Sequence, residues 1–129
     1  MSLILISDDS ASIRLLLKRR LERAGHEVRE ARDGAEAIEA VTAGNPEQPD
    51  LVLLDLCMPR VDGIGALREI KKRKPGVPVL LVSAVGESEA TKDWELADGH
   101  VRKPIDFVDL LARVDLLTGG PPLPGSPSP

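Results

Sequence analysis

Apolar positions along this chain follow two alternating rhythms. Residues 3–6, 51–54 and 79–82 are unbroken aliphatic runs of the kind that form strands buried on both faces. Between them the spacing changes. Ile13, Leu16, Leu17, Leu21 and Ala24 recur at three and four, which predicts an amphipathic helix from Ala11 that Gly25 ends. Arg14, Lys18, Arg19, Arg20 and Arg23 fill its other positions and read as a solvated face. Residues 26–31 predict a second strand around Val28. Asp33 and Glu36 then resemble a capping box for a second helix, with Asp33 as N-cap, Glu36 reaching back, and Ala37, Ile38 and Val41 inside. Asp62-Gly63 is a turn signal that opens a third helix, with Ile64, Leu67 and Ile70 inward and Arg68 and Lys71 to Lys74 outward. Residues 86–96 predict a short, polar fourth helix. Residues 100–102 predict a fifth strand, and a last helix starts near Asp106 with Phe107, Leu110, Leu111, Val114 and Leu117 inward.

The order is strand then helix, five times over. That alternation implies an α/β fold, a doubly wound five-stranded parallel sheet with helices on both faces. In such folds ligands bind outside the carboxyl ends of the strands, where strand order reverses. Asp8, Asp9, Asp55, Ser83 and Lys103 all fall at carboxyl ends of predicted strands.

Composition narrows the picture. The 129 residues fit one domain with a sizeable core, expected over residues 1–118. Residues 119–129, rich in Pro and Gly, read as a disordered tail or linker. A net charge of -4 gives no basic footprint, so no direct nucleic-acid partner is expected. A single cysteine, Cys57, forms no intramolecular disulfide and points to a reducing compartment. No run approaches the roughly 18 apolar residues a membrane span needs, and the start lacks the basic lead of a signal peptide. The expectation is a cytoplasmic protein without a membrane partner.

Three carboxylates at one sheet edge raise one another's pKa or call for a cation. Hard oxygen donors of this kind suit Mg²⁺, often shared with a phosphate. With such a cation Asp55 is a usable nucleophile, because carboxylates form aspartyl-phosphate intermediates. Lys103 offers a charge to neutralise a transferring phosphoryl group, and Ser83 a hydroxyl to bond it. Taken singly, each has a plainer reading. Asp8-Asp9 alone is a helix N-cap pair, Asp55 a turn residue, Lys103 a solvated cation and Ser83 a strand-end cap. The weight lies in the set.

That set resembles the receiver domain of the two-component response regulator family, over about residues 2–118. The matching features are Asp8-Asp9 after the first strand, Asp55 within LVLLDLCMPRVDG, Ser83 after the fourth strand and Lys103-Pro104 after the fifth. The resemblance implies a flavodoxin-like (βα)5 three-layer sandwich. It implies that Asp55 accepts a phosphoryl group from a histidine kinase or phosphotransfer protein and then hydrolyses it slowly, as a switch rather than a turnover enzyme. It further implies Mg²⁺ held by Asp8, Asp9, Asp55 and the backbone carbonyl of Cys57, with Ser83 and Lys103 sensing the phosphate and a cis Lys103–Pro104 bond. Output is expected through the face of the fourth helix, fifth strand and fifth helix, which also offers a homodimer surface. Two features depart from the family pattern. His100 stands at the switch position where Tyr or Phe is usual, and a histidine titrating near neutrality there would make output pH-sensitive. The stretch from Ser83 to Lys103 is about two residues short. Two alternatives carry less weight. One is a pseudo-receiver that binds partners without phosphorylation. The other is a Mg²⁺-dependent phosphatase, which wants a second acid where Cys57 stands.

Overall fold

The computed structural model describes residues 2–42, 48–55, 63–83 and 96–119. Five parallel strands form one sheet: β1 (Leu3–Ser7), β2 (Glu27–Ala31), β3 (Leu51–Asp55), β4 (Val79–Ser83) and β5 (Gly99–Arg102), in the order β2-β1-β3-β4-β5. The described helices are α1 (Ala11–Arg23), α2 (Gly34–Thr42), α3 (Gly63–Arg73) and α4 (Phe107–Thr118). The helix expected over 86–96 lies, but for residue 96, outside the described residues, so the expected fifth helix is α4 here.

Alternate strand residues feed two cores. Ile4, Ile6, Leu51, Leu53 and Val101 pack with Leu17 and Leu21 of α1 and with Leu110 and Val114 of α4. Leu5, Val52, Leu54 and Leu81 pack on the other face with Ala37 and Val41 of α2 and with Ala66, Leu67 and Ile70 of α3. β1 and β3 are buried at every position. That burial is why their sequences are continuous apolar runs rather than alternating ones.

Local chemistry sets the element ends. Ser10 caps α1, its Oγ accepting from the Ile13 N–H at 3.3 Å. Gly25, at φ 96, turns the chain out of that helix. Asp33 accepts from the Glu36 N–H at 2.9 Å. Glu36 does reach back, but to the Arg32 N–H at 2.8 Å, one residue before the expected donor. Asp106 caps α4.

Four expectations about faces change. Leu16 and Ala24, expected inward, are exposed. Arg14, expected on the solvated face, is folded back over the β1–α1 turn. Lys71, expected outward, donates to Val77 O at 2.9 Å and to Asp98 Oδ2 at 2.6 Å. Asp98 Oδ2 also accepts from the Val79 N–H at 2.8 Å, which ties the approach to β5 to the start of β4 and the end of α3.

Candidate functional site

The order β2-β1-β3 means that the chain moves to one side of β1 for β2 and to the other side for β3. The reversal opens a crevice outside the carboxyl ends of β1 and β3. Asp8 and Asp9 follow β1 directly, and Asp55 is the last residue of β3. One carboxylate oxygen from each lies within 4.8 Å of the others. Asp8 and Asp55 are buried and Asp9 is exposed. Lys103 follows β5 and crosses toward them, its Nζ 3.2 Å from Asp55 Oδ2. The Lys103–Pro104 peptide bond is cis. Four of the residues singled out in the sequence therefore meet at one edge of the sheet.

The crowding of acids shows in Asp8. Burial, then the nearby charge of Asp55 and a hydrogen bond shared with it, push the Asp8 carboxyl up to about 6. The Ser10 N–H and the Lys103 charge oppose that rise. The Ser10 N–H donates to Asp8 Oδ1 at 2.8 Å. A buried acid that keeps its proton to higher pH than usual, beside a second acid, is a place where a cation can replace that proton. The donors are hard oxygens only, two of them buried and one open to solvent, as Mg²⁺ with retained waters requires. The residues present fit that ion.

The other candidates divide. Ser83 is the last residue of β4 and pairs with Arg102 across the sheet; its side chain lies outside what is described. Cys57 lies outside the described residues, as do Met58 and Pro59. His100 is in β5, at the margin of a groove of about 320 Å³ lined also by Arg102, Pro104, Asp106, Asp109 and Arg113. Burial, and then Arg102 and Arg113, hold its imidazole below the ordinary histidine range. Its titration is thereby moved toward acid pH relative to an ordinary histidine.

A further apolar pocket of about 210 Å³ lies beside Lys103, between Ile13, Leu16 and Leu17 of α1 and Pro104, Ile105 and Phe107. Arg20 stacks on the Phe107 ring, its guanidinium carbon 4.8 Å from the centroid. Sequence reasoning also missed Arg14, whose Nη1 donates to the Asp8 carbonyl at 2.6 Å. Its position could have signalled this. Helix side chains lean toward the N-terminus, so a long one in the first turns reaches the loop in front.

The model of the response regulator receiver domain family matches residues 4–115. Among curated relatives, the chain is 41% identical over 113 residues to a probable transcriptional regulator, ycf27, of Guillardia theta, covering 86% of this chain and 43% of the relative. It is 37% identical to the alkaline phosphatase synthesis transcriptional regulatory protein PhoP of Bacillus subtilis, covering 86% and 46%. The chain thus spans about half the length of these relatives. Among solved structures, response regulator protein TrrA of Thermotoga maritima in complex with Mg²⁺-BeF is 35% identical, with a TM-score of 0.83, over 91% of this chain and 99% of that one.

Proposed function

Since the chain belongs to the response regulator receiver domain family, a signalling switch of two-component systems, we propose that Asp55 is its phosphoacceptor. The observation that carries this is the meeting of Asp8, Asp9, Asp55 and Lys103 at the β1/β3 switch point, with Lys103 Nζ 3.2 Å from Asp55 Oδ2. Mg²⁺ would be held by Asp8, Asp9 and Asp55, with the backbone carbonyl of Cys57 as a further ligand, and when bound it supplies positive charge to offset that of a phosphoryl group.

In the transfer, an Asp55 carboxylate oxygen attacks phosphorus and the P–N bond of a donor phosphohistidine breaks. The imidazole leaves with the electron pair and takes up a proton. The Lys103 ammonium, already beside Asp55, stabilises the charge on the phosphoryl oxygens. Ser83 bonds one of those oxygens. Water later attacks phosphorus, releases phosphate and restores Asp55, so the domain acts once per signal rather than as a turnover enzyme. The apolar pocket between α1 and the β5–α4 connection is the approach we infer for the donor, a histidine kinase or phosphotransfer protein.

Output follows from the added charge and acceptor oxygens at the sheet edge. They shift the population of two states and change partner choice, homodimerisation included, on the face expected of the fourth helix, the fifth strand (β5) and the fifth helix (α4). His100 is the switch residue in this reading. We place the receiver over residues 1–118 and a linker or tail over 119–129, in a reducing cytoplasm. The relatives' names favour a transcriptional output for the whole protein, carried by a segment other than this domain.

The test is incubation with Mg²⁺ and acetyl phosphate or phosphoramidate, beside an Asp55→Asn variant. Intact mass should rise by one phosphoryl group in the parent only. No gain in the parent overturns the reading and leaves a pseudo-receiver that binds partners without phosphorylation.

A further inference from the structure

Arg14 is the fourth residue of α1, and its side chain is only 12% exposed. Its Nη1 donates to the Asp8 carbonyl at 2.6 Å, and its Nε donates to Glu30 Oε1 at 3.1 Å. Glu30 lies near the end of β2, the strand beside β1. Three more bonds hold the same turn. The Asp8 N–H donates to Ala31 O at 3.2 Å, the Ser10 N–H to Asp8 Oδ1 at 2.8 Å, and Ser7 Oγ to Asp33 O at 3.3 Å. Arg14 is the one long side chain among these contacts, and it links α1, the turn and β2 at once.

We infer that Arg14, held by Glu30, is a positioning residue that clamps the β1–α1 turn so that Asp8 and Asp9 face Asp55. The inference rests on reading the three acids as a cation site. Its charge logic is specific. An unbalanced guanidinium beside such a site would repel the cation. Glu30 cancels that charge and leaves the fixed donor geometry of the guanidinium on the Asp8 carbonyl. Lys18, 4.0 Å from the other Glu30 oxygen, holds the carboxylate from the far side.

The clamp and a purely electrostatic role differ in sign. Removing a positive charge near a cation site tightens cation binding, whereas removing the clamp weakens it. The experiment titrates Mg²⁺ calorimetrically into the full chain as parent, Arg14→Met and Arg14→Lys. In parallel, NMR follows amide hydrogen exchange of Asp8 and Ser10 in EDTA, with Ile4 and Leu53 as core references. Arg14→Met should raise the Mg²⁺ Kd by about tenfold, the usual scale for residues that orient metal ligands. Asp8 and Ser10 should exchange faster relative to the core, and Arg14→Lys should fall between. An unchanged or lower Kd in Arg14→Met overturns the clamp. If the parent binds no Mg²⁺, the metal reading is what fails, and the clamp stands or falls on the exchange rates alone. Should Arg14→Met not fold, Glu30→Gln takes its place: faster exchange at Asp8 and Ser10 over an intact core supports the clamp, and unchanged exchange overturns it.

Discussion

Asp8 carries a clear electrostatic signature. Its carboxyl is raised from 3.8 to about 6, by burial first and by Asp55 next. Between those values the folded state holds a proton that the unfolded state has released, so stability falls with rising pH. In EDTA, the Asp8 contribution should be fully present below about pH 4 and lost as pH passes about 6. Denaturant titrations from pH 4 to pH 7 should show this slope, and Asp8→Asn should flatten it. With Mg²⁺ the proton and the cation compete, so affinity should weaken as pH drops through about 6. Lys103 calls for a different outcome. Lys103→Met leaves the three carboxylates in place and removes the cation beside Asp55. Phosphorylation by phosphoramidate should slow by roughly 10² or more, the scale for losing one preorganised stabilising group. Mg²⁺ should still bind; its complete loss would show that Lys103 supports the metal site instead. At this scale the sequence was informative for Asp8, Asp9, Asp55 and Lys103, because strand ends and residue types can be read without coordinates. Arg14 was only half readable, since its place in the first turns of α1 aims it at the loop in front but does not say which backbone carbonyl it reaches.

At the scale of elements, β1, β3 and β4 were evident because strands buried on both faces leave no polar interruption. α1 shows the limit of periodicity. Leu17 and Leu21 point to the centre of the core, while Leu16 lies about 100° round the helix from Leu17, outside the buried stripe. Five apolar positions at helical spacing define a broader face than the sheet covers. Lys71 shows the converse. In sequence it belongs to a basic run at the end of α3, yet its side chain is only 13% exposed and its ammonium meets Asp98. Asp98 accepts from both Lys71 and the Val79 N–H. Asp98→Ala should therefore destabilise the fold by roughly 1–3 kcal/mol, the cost of leaving such donors unmatched. Urea unfolding would measure it, and a change below a few tenths would show that water replaces the carboxylate. Such pairings stay hidden in sequence because they join residues 27 apart through the packing of three elements.

At the scale of the molecule, the site gathers residues from β1, β3 and the end of β5, so its geometry exists only when the sheet is assembled. Binding a cation there is linked to folding. Mg²⁺ at a hundred times its Kd should stabilise the chain by about 2.7 kcal/mol. EDTA should remove that gain, and Asp9→Asn should diminish it without altering stability in EDTA by a comparable amount. Calorimetric or urea unfolding at fixed pH reads both. The fold class was legible from alternation alone, but the neighbour order β2-β1-β3-β4-β5 was not, because hydrophobic period says nothing of which strand lies beside which. That order has a consequence for association. β2 forms one rim of the sheet, five residues long, with Glu27 and Glu30 exposed along it. A short rim studded with charge resists the addition of another chain's strand. Zipper-like growth along that border is thereby discouraged, and other proteins are left to recognise helical surfaces and the acidic crevice, where a phosphoryl group can alter what they meet.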